Sequence, residues 1–442
     1  MLVEFRVTNF RSIKETQIVS MIASSDRSLP DNIIESEALG KLRLNRSAVM
    51  YGANASGKSN LIAAIAFVRD FVRNSTSLRG LRETRESDTE TYIPIVPFML
   101  DATMRETVSE FELIFIQRNI RYQYGFRADR RRLHSEWLIA YPFGQPQRWF
   151  ERTLRDDGTY DWEFRSKYFR GEKQRIADVT RADALYLSVG ANFKLEQLSD
   201  VYEWFMHLSI VRPLDRLGPR RSLTAQRAYR DVTFHQRIRD LLAHADVGIV
   251  DFKVEELSDE PYVQRSFVTE EERPISRRIR YDVTLAHQGP NDQEPTFLPI
   301  EEESRGTQQL FEIARRWIDA LDRGYVLIVD ELDSSLHPLL ARKLVELFHD
   351  PKLNRNNAQL IFNTHDVTLL DQALFRRDQI WFTEKDREGA THLYPLLEFS
   401  PRREEALAKG YLQGRYGAIP FIEGLGDWLA ADVQDETTKH TS

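Results

Sequence analysis

The sequence predicts an α/β fold that carries an antiparallel β subdomain and a mainly helical insertion. Three observations predict it. The run Gly52-Ala53-Asn54-Ala55-Ser56-Gly57-Lys58-Ser59 fills every fixed position of the phosphate-binding pattern G-x-x-x-x-G-K-[ST]. Val326-Leu327-Ile328-Val329-Asp330-Glu331 is an apolar strand ending in two carboxylates. Between these lie a block of alternating strands and then a stretch of helical spacing.

Taken in order, Leu2 to Val7 alternates as a half-buried strand, followed by the turn Thr8–Ile13 and a second strand from Thr16 to Ile22. Residues 24–39, mostly polar with Pro30, read as a loop. Ser47–Tyr51 is a short buried strand before the phosphate loop, and Leu61, Ile62, Ile65, Val68 and Val72 lie at helical spacing after it. Residues 75–90 are charged and polar and read as exposed. Glu110–Ile116, Ile120–Ala128 and Leu133–Ala140 read as antiparallel strands, continued by Trp149–Arg152 and Tyr160–Phe164. From Arg165 to His244 the pattern turns helical. Val250–Glu255 and Arg280–Ala286 read as a strand pair around a charged loop. Ser304–Leu321 suits a helix, Tyr325–Val329 a strand covered on both faces, Pro338–Phe348 a helix, and Gln359–Phe362 and Gln379–Phe382 two more strands. The expected domains are 1–165 and 301–425 as the two parts of one lobe, 166–300 as the insertion, and 426–442 as a frayed tail.

The glycines of the phosphate loop let successive N–H groups turn inward as an anion nest, and the following helix adds its positive end. Lys58 supplies a full charge for the outer phosphates and Ser59 a hydroxyl for Mg2+. Asp330, at a strand's carboxyl end, would hold the same Mg2+ through water, and Glu331 is placed to polarise an attacking water.

With 61 basic and 68 acidic side chains among 442 residues, the net charge is −7, which argues against a chain-wide nucleic-acid coat. No cysteine is present, so disulfides, thiolate metal sites and cysteine nucleophiles are excluded. The ten histidines show no metal-ligand spacing. No leader and no membrane-length apolar run is visible, and the expected location is the cytoplasm. Of three basic runs, Arg127–Arg132, Arg212–Arg230 and Arg273–Arg280, the middle one is the best candidate for a nucleic-acid or partner groove.

Together, Gly52–Ser59, the Asp330-Glu331 pair, the Asp333–Pro338 loop and His365 resemble the Walker A, Walker B, D-loop and switch histidine of ABC-type P-loop ATPases. Asn9-Phe10-Arg11-Ser12 resembles the N-terminal turn of the SMC and OLD-like branch, whose basic side chain approaches the nucleotide phosphates. Ser304-Arg305-Gly306-Thr307 resembles that branch's divergent signature motif. Ser334–Pro338, Arg377–Phe382 and Gly410–Pro420 look like the bacterial RloA/AbiL-type AAA ATPases, ATPase subunits of phage-defence pairs.

The resemblance implies ATP and Mg2+ as cofactors. Asn9, Arg11, Ser12, Asn54, Ala55, Ser56, Gly57, Lys58, Ser59, Asn60, Asp330 and Asp333 would surround the nucleotide, with Glu331 and His365 at the terminal phosphate. Ser304 and Gly306 would reach the ATP of an opposing copy, so that two ATP molecules lie in one two-fold interface of a homodimer or larger assembly. It further implies a separate effector, a Toprim-type nuclease, with nucleic acid a possible partner and no membrane. An SMC-like DNA-repair ATPase and a mainly structural ATP-binding scaffold are the alternative readings.

Overall fold

The computed structural model describes residues 1–77, 92–212, 222–245, 248–257, 280–289, 294–402 and 405–420. The chain opens with β1 (Leu2–Thr8), paired antiparallel to β2 (Gln17–Ser20). Residues 24–39 are not wholly loop: β3 (Ile33–Glu35) pairs with β4 (Arg43–Asn45), because Ile34 and Leu44 supply one apolar contact that the polar surroundings masked. All six residues of β5 (Ser47–Gly52) are buried. It feeds the phosphate loop and then α1 (Lys58–Asn74), whose Leu61, Ile62, Ile65, Val68 and Val72 face inward as their spacing requires.

After the short α2 (Ala102–Arg105), the expected meander is present as β6 (Ser109–Gln117), β7 (Ile120–Ala128), β8 (Leu133–Tyr141), β9 (Gln147–Leu154) and β10 (Tyr160–Glu163). Arg118 and Asn119, both at positive φ (49° and 59°), make the two-residue turn between β6 and β7. The seven strands form one antiparallel sheet, ordered β10-β9-β8-β7-β6-β1-β2.

The segment 166–300 differs most from expectation. Its first helices, α3 (Lys173–Val179), α4 (Tyr186–Asn192) and α5 (Glu196–His207), do not form a lobe of their own, since α4 and α5 pack on α1. Ser209–Val211, read as helical, is a strand, β11, parallel to Val326–Val329 in the central sheet. Three residues carry too little pattern to be told from a helix end. Then come α6 (Leu223–Arg230), α7 (Val232–His244) and the antiparallel set β12 (Ile249–Leu257), β13 (Arg280–His287) and β14 (Thr296–Pro299). The charged loop 258–274, most of 75–90, the tail 426–442 and basic residues including Arg216, Arg220 and Arg221 lie outside the described residues.

The last third gives α8 (Arg305–Arg323), β15 (Val326–Val329), α9 (Pro338–His349), β16 (Gln359–Asn363), β17 (Ile380–Lys385), β18 (Thr391–Pro395) and α10 (Leu407–Leu412). The central sheet is ordered β11-β15-β16-β5-β17-β18, parallel except for the β18 edge. Its strands alternate between two cores. Ala48, Met50, Ile328 and Ile361 join the core under α1 and the antiparallel sheet. Val49, Tyr51, Leu327, Val329, Leu360 and Phe362 join the core under α8 and α9. That period-two division makes the strands apolar throughout and brings the carboxyl ends of β5, β15 and β16 to one edge.

Candidate functional site

The phosphate loop leaves the carboxyl end of β5 and is clamped to the sheet by two threonines. Gly52 stands opposite Thr383 of β17, where an added Cβ would lie 2.4 Å from the threonine Oγ1. Gly57 has φ 111°, and its Cβ would lie 2.1 Å from Oγ1 of Thr391. Only glycine fits either position. Thr383 Oγ1 lies 2.7 Å from the Ser56 hydroxyl, and Thr391 Oγ1 donates to the Ser56 carbonyl at 2.9 Å. Asn54 and Ala55 form the exposed tip, with Ala55 left-handed at φ 62°.

Lys58 begins α1 and folds back over the loop, its Nζ donating to the carbonyls of Gly52 (2.7 Å) and Ala53 (3.0 Å). Burial lowers its amine to about 8, against the opposing pull of Asp333, Glu331 and Asp330. Ser59 Oγ donates to Asp330 Oδ1 at 2.8 Å. The same carboxylate oxygen accepts Asn363 Nδ2 at 2.6 Å, and Asn363 Oδ1 accepts the backbone N–H of Glu331 at 2.5 Å. Glu331 is held left-handed at φ 59°, a costly conformation for a residue with a side chain. Asp333 Oδ2 accepts the His365 backbone N–H at 3.2 Å, while its buried Oδ1 has no partner among the described residues. Burial, and then the charge of Lys58, lower the His365 imidazole, so it is neutral at neutral pH. Lys58, Asp330, Glu331, Asp333 and His365 thus converge from three separate stretches of chain.

Residues 47–371 match a family model described as "AAA domain, putative AbiEii toxin, Type IV TA system". The chain belongs to this AAA family. Among solved structures, it is similar to the recombination mediator protein RecF bound to ATP, with 13% identity and a TM-score of 0.33 over 89% of this chain and 97% of that one. A comparison with curated proteins finds no match.

The N-terminal turn, which precedes the matched residues, divides into two roles. Arg11, left-handed at φ 52°, points its guanidinium toward Asn60, with Nη1 3.5 Å from Oδ1. Ser12 stiffens the loop from behind, 2.8 Å from Thr391 Oγ1 and accepting Asn60 Nδ2 at 2.7 Å. Asn9, expected among the nucleotide ligands, is instead a scaffold. It is fully buried, its amide donates to the carbonyls of Met104 and Thr107, and its Oδ1 accepts the Phe98 N–H. Both amide hydrogens are thus engaged, and none is left to donate to a phosphate.

Ser304 caps α8, its hydroxyl accepting the Thr307 N–H at 3.1 Å. A Cβ on Gly306 would meet the Ser335 carbonyl at 2.6 Å, so the start of α8 lies against the Asp333–Pro338 loop of the same AAA domain. Among the described residues no hydrogen bond joins Ser304 or Gly306 to the phosphate loop of their own chain.

The hydroxyl of Ser59 and the carboxylate of Asp330, 2.8 Å apart, are hard oxygen donors of the kind Mg2+ takes, and phosphate oxygens and water would complete its shell. Among the described residues no group of three His, Asp or Glu could hold a metal without such help. Asn363, Thr383 and Thr391 are the site residues that motif reading missed. Asn363 had a usable signal, a polar residue closing a fully buried strand, but the two threonines are placed by strand register alone.

Proposed function

We propose that the chain is the ATP-binding and ATP-hydrolysing subunit of an anti-phage defence pair of the RloA/AbiL type. The single observation that carries the ATP-hydrolysing part of the reading is the network Ser59–Asp330–Asn363–Glu331 beside Lys58. Lys58 exchanges its two loop carbonyls for the outer phosphates of ATP. Bound Mg2+ would neutralise charge on those phosphates, held on the protein side by Ser59 and Asp330. Glu331 orients and polarises the attacking water, and neutral His365 contacts the terminal phosphate. Ser304 and Gly306 of a second copy complete the site, so each ATP lies between two chains and its hydrolysis loosens the interface. A separate effector, a Toprim-type nuclease, is restrained or released by that change, in the cytoplasm. Among the described residues no helix is long and apolar enough to cross a membrane.

The test combines turnover with mass. Lys58→Ala should lose ATP binding. Glu331→Gln should bind ATP, hydrolyse it at least about a hundredfold more slowly, and accumulate as an ATP-dependent dimer by light scattering. Turnover at the wild-type rate in Glu331→Gln removes Glu331 as the base, and an unchanged mass with ATP removes the shared-site reading. Co-purification from the native operon tests the effector.

A further inference from the structure

Arg212 stands at the carboxyl edge of the parallel sheet. β11 runs in register with β15, Val211 opposite Val329, and the Val211 carbonyl accepts the Asp330 N–H at 2.9 Å. The next residue, exposed Arg212, therefore leaves the sheet alongside the carboxylate that meets Ser59. In such sheets ligands bind outside the carboxyl ends of the strands. On the other flank, Arg11 reaches Asn60, the neighbour of Ser59.

The two guanidiniums are close enough to interact: after burial, the charge of Arg212 is what most lowers Arg11. Among the described residues neither has a carboxylate ion partner, whereas Arg227 pairs with Asp319 and Arg237 with Asp322. Arg227 is thus neutralised locally, whereas Arg212 leaves the sheet at its carboxyl edge without such a pair among the described residues. Like charges held together without a counter-ion destabilise the free protein, and an anion between them relieves that cost through charge-assisted hydrogen bonds.

We infer that Arg212 is a second guanidinium for the nucleotide's polyphosphate, with Arg11 and Arg212 flanking Ser59. The inference rests on the ATP reading above and adds to it a ligand from a strand outside the phosphate-loop and carboxylate motifs.

The experiment titrates the full chain and its Arg212→Ala, Arg212→Lys and Lys58→Ala variants with ATP and with inorganic tripolyphosphate. Arg212→Ala should weaken both ligands about tenfold, the loss expected of one charged hydrogen bond. Lysine should restore only part of it, since it lacks the planar fork. Without nucleotide, Arg212→Ala should melt at or above the wild-type temperature, because a repulsion is gone, yet gain less from added ATP. Wild-type affinity in Arg212→Ala, with Lys58→Ala unable to bind, overturns the inference and leaves the ATP reading standing. A lower melting temperature with an undiminished ATP shift assigns Arg212 a structural role and also overturns it. Unchanged nucleotide affinity with weakened duplex-DNA binding gives the residue to nucleic acid, a third overturning result. Failure of the wild-type chain to bind ATP removes the ATP reading itself.

Discussion

The hydroxyl of Ser59 donates to the carboxylate of Asp330 at 2.8 Å, across 271 residues of sequence. One partner begins a helix after β5 and the other ends β15, and the two strands are separated in the sheet by β16. The contact therefore exists only once the parallel sheet has formed. The metal role proposed for the pair depends on the charge of Asp330. Asp330→Asn should reduce ATP affinity measured with Mg2+ to the value the wild type shows in EDTA, with little change in the metal-free affinity. Nucleotide titrations with and without Mg2+ check this, and an intact Mg2+ effect in the variant would remove Asp330 from the metal.

Asn363 ties Asp330 to the Glu331 backbone, and its loss should act on chemistry more than on binding. Asn363→Ala is expected to lower kcat by about 10–100-fold, the range seen when a residue behind a metal site is removed. Its ATP Kd should stay within a few-fold. Steady-state turnover beside equilibrium binding separates the two.

Gly57→Ala places a methyl group against Thr391 at φ 111°. The strain of about 1–3 kcal/mol falls on the loop, which corresponds to roughly five- to a hundredfold in ATP affinity. Circular dichroism should show the fold retained, because the sheet and α1 do not depend on the loop's inner geometry.

Lys58 gives the site a pH signature. Its amine, lowered to about 8 by burial, begins to lose its proton there, whereas a bound triphosphate favours the ammonium. ATP affinity should therefore fall as pH rises through 8, approaching tenfold per unit. Stability of the nucleotide-free protein should move the other way. Between about 8 and the unfolded-state value of 10.5 the unfolded chain holds the extra proton, so this residue's contribution to stability increases with pH. Comparing wild type with Lys58→Met isolates both effects.

Beneath the site, His349 Nε2 lies 2.8 Å from the Ser47 hydroxyl, and burial lowers its imidazole to about 3. The folded state excludes a proton that the unfolded chain accepts below 6.5, so stability is lost as pH falls from 6.5 toward 3. The slope is about 1.4 kcal/mol per pH unit. Urea unfolding across that range should show it in the wild type and a flatter profile in His349→Gln.

Legibility varied with the physical cause. β5, β15, β16 and the β6–β8 meander were readable because a buried strand imposes either continuous or alternating apolarity over several residues. β11 was not, because three residues in a neighbouring strand's shelter need no pattern of their own. Asn9 was misread for a related reason. Its neighbour Arg11 does reach the loop, and nothing local distinguishes an amide that binds a ligand from one buried against Met104 and Thr107.

By itself the sequence determined which groups can do chemistry here: a glycine-bounded loop with Lys58 and Ser59, a carboxylate pair at a strand end, and a histidine after another strand. Those assignments follow from residue type and near-neighbour spacing, which the linear chain contains. Only the tertiary structure decided that Asn363 couples the two carboxylate residues, that Thr383 and Thr391 hold the loop, and that Arg212 follows a strand paired with the one that leads into Asp330. Each of these depends on which strands lie side by side and in what register, a choice made by the collective packing of two cores and invisible to any short window of residues.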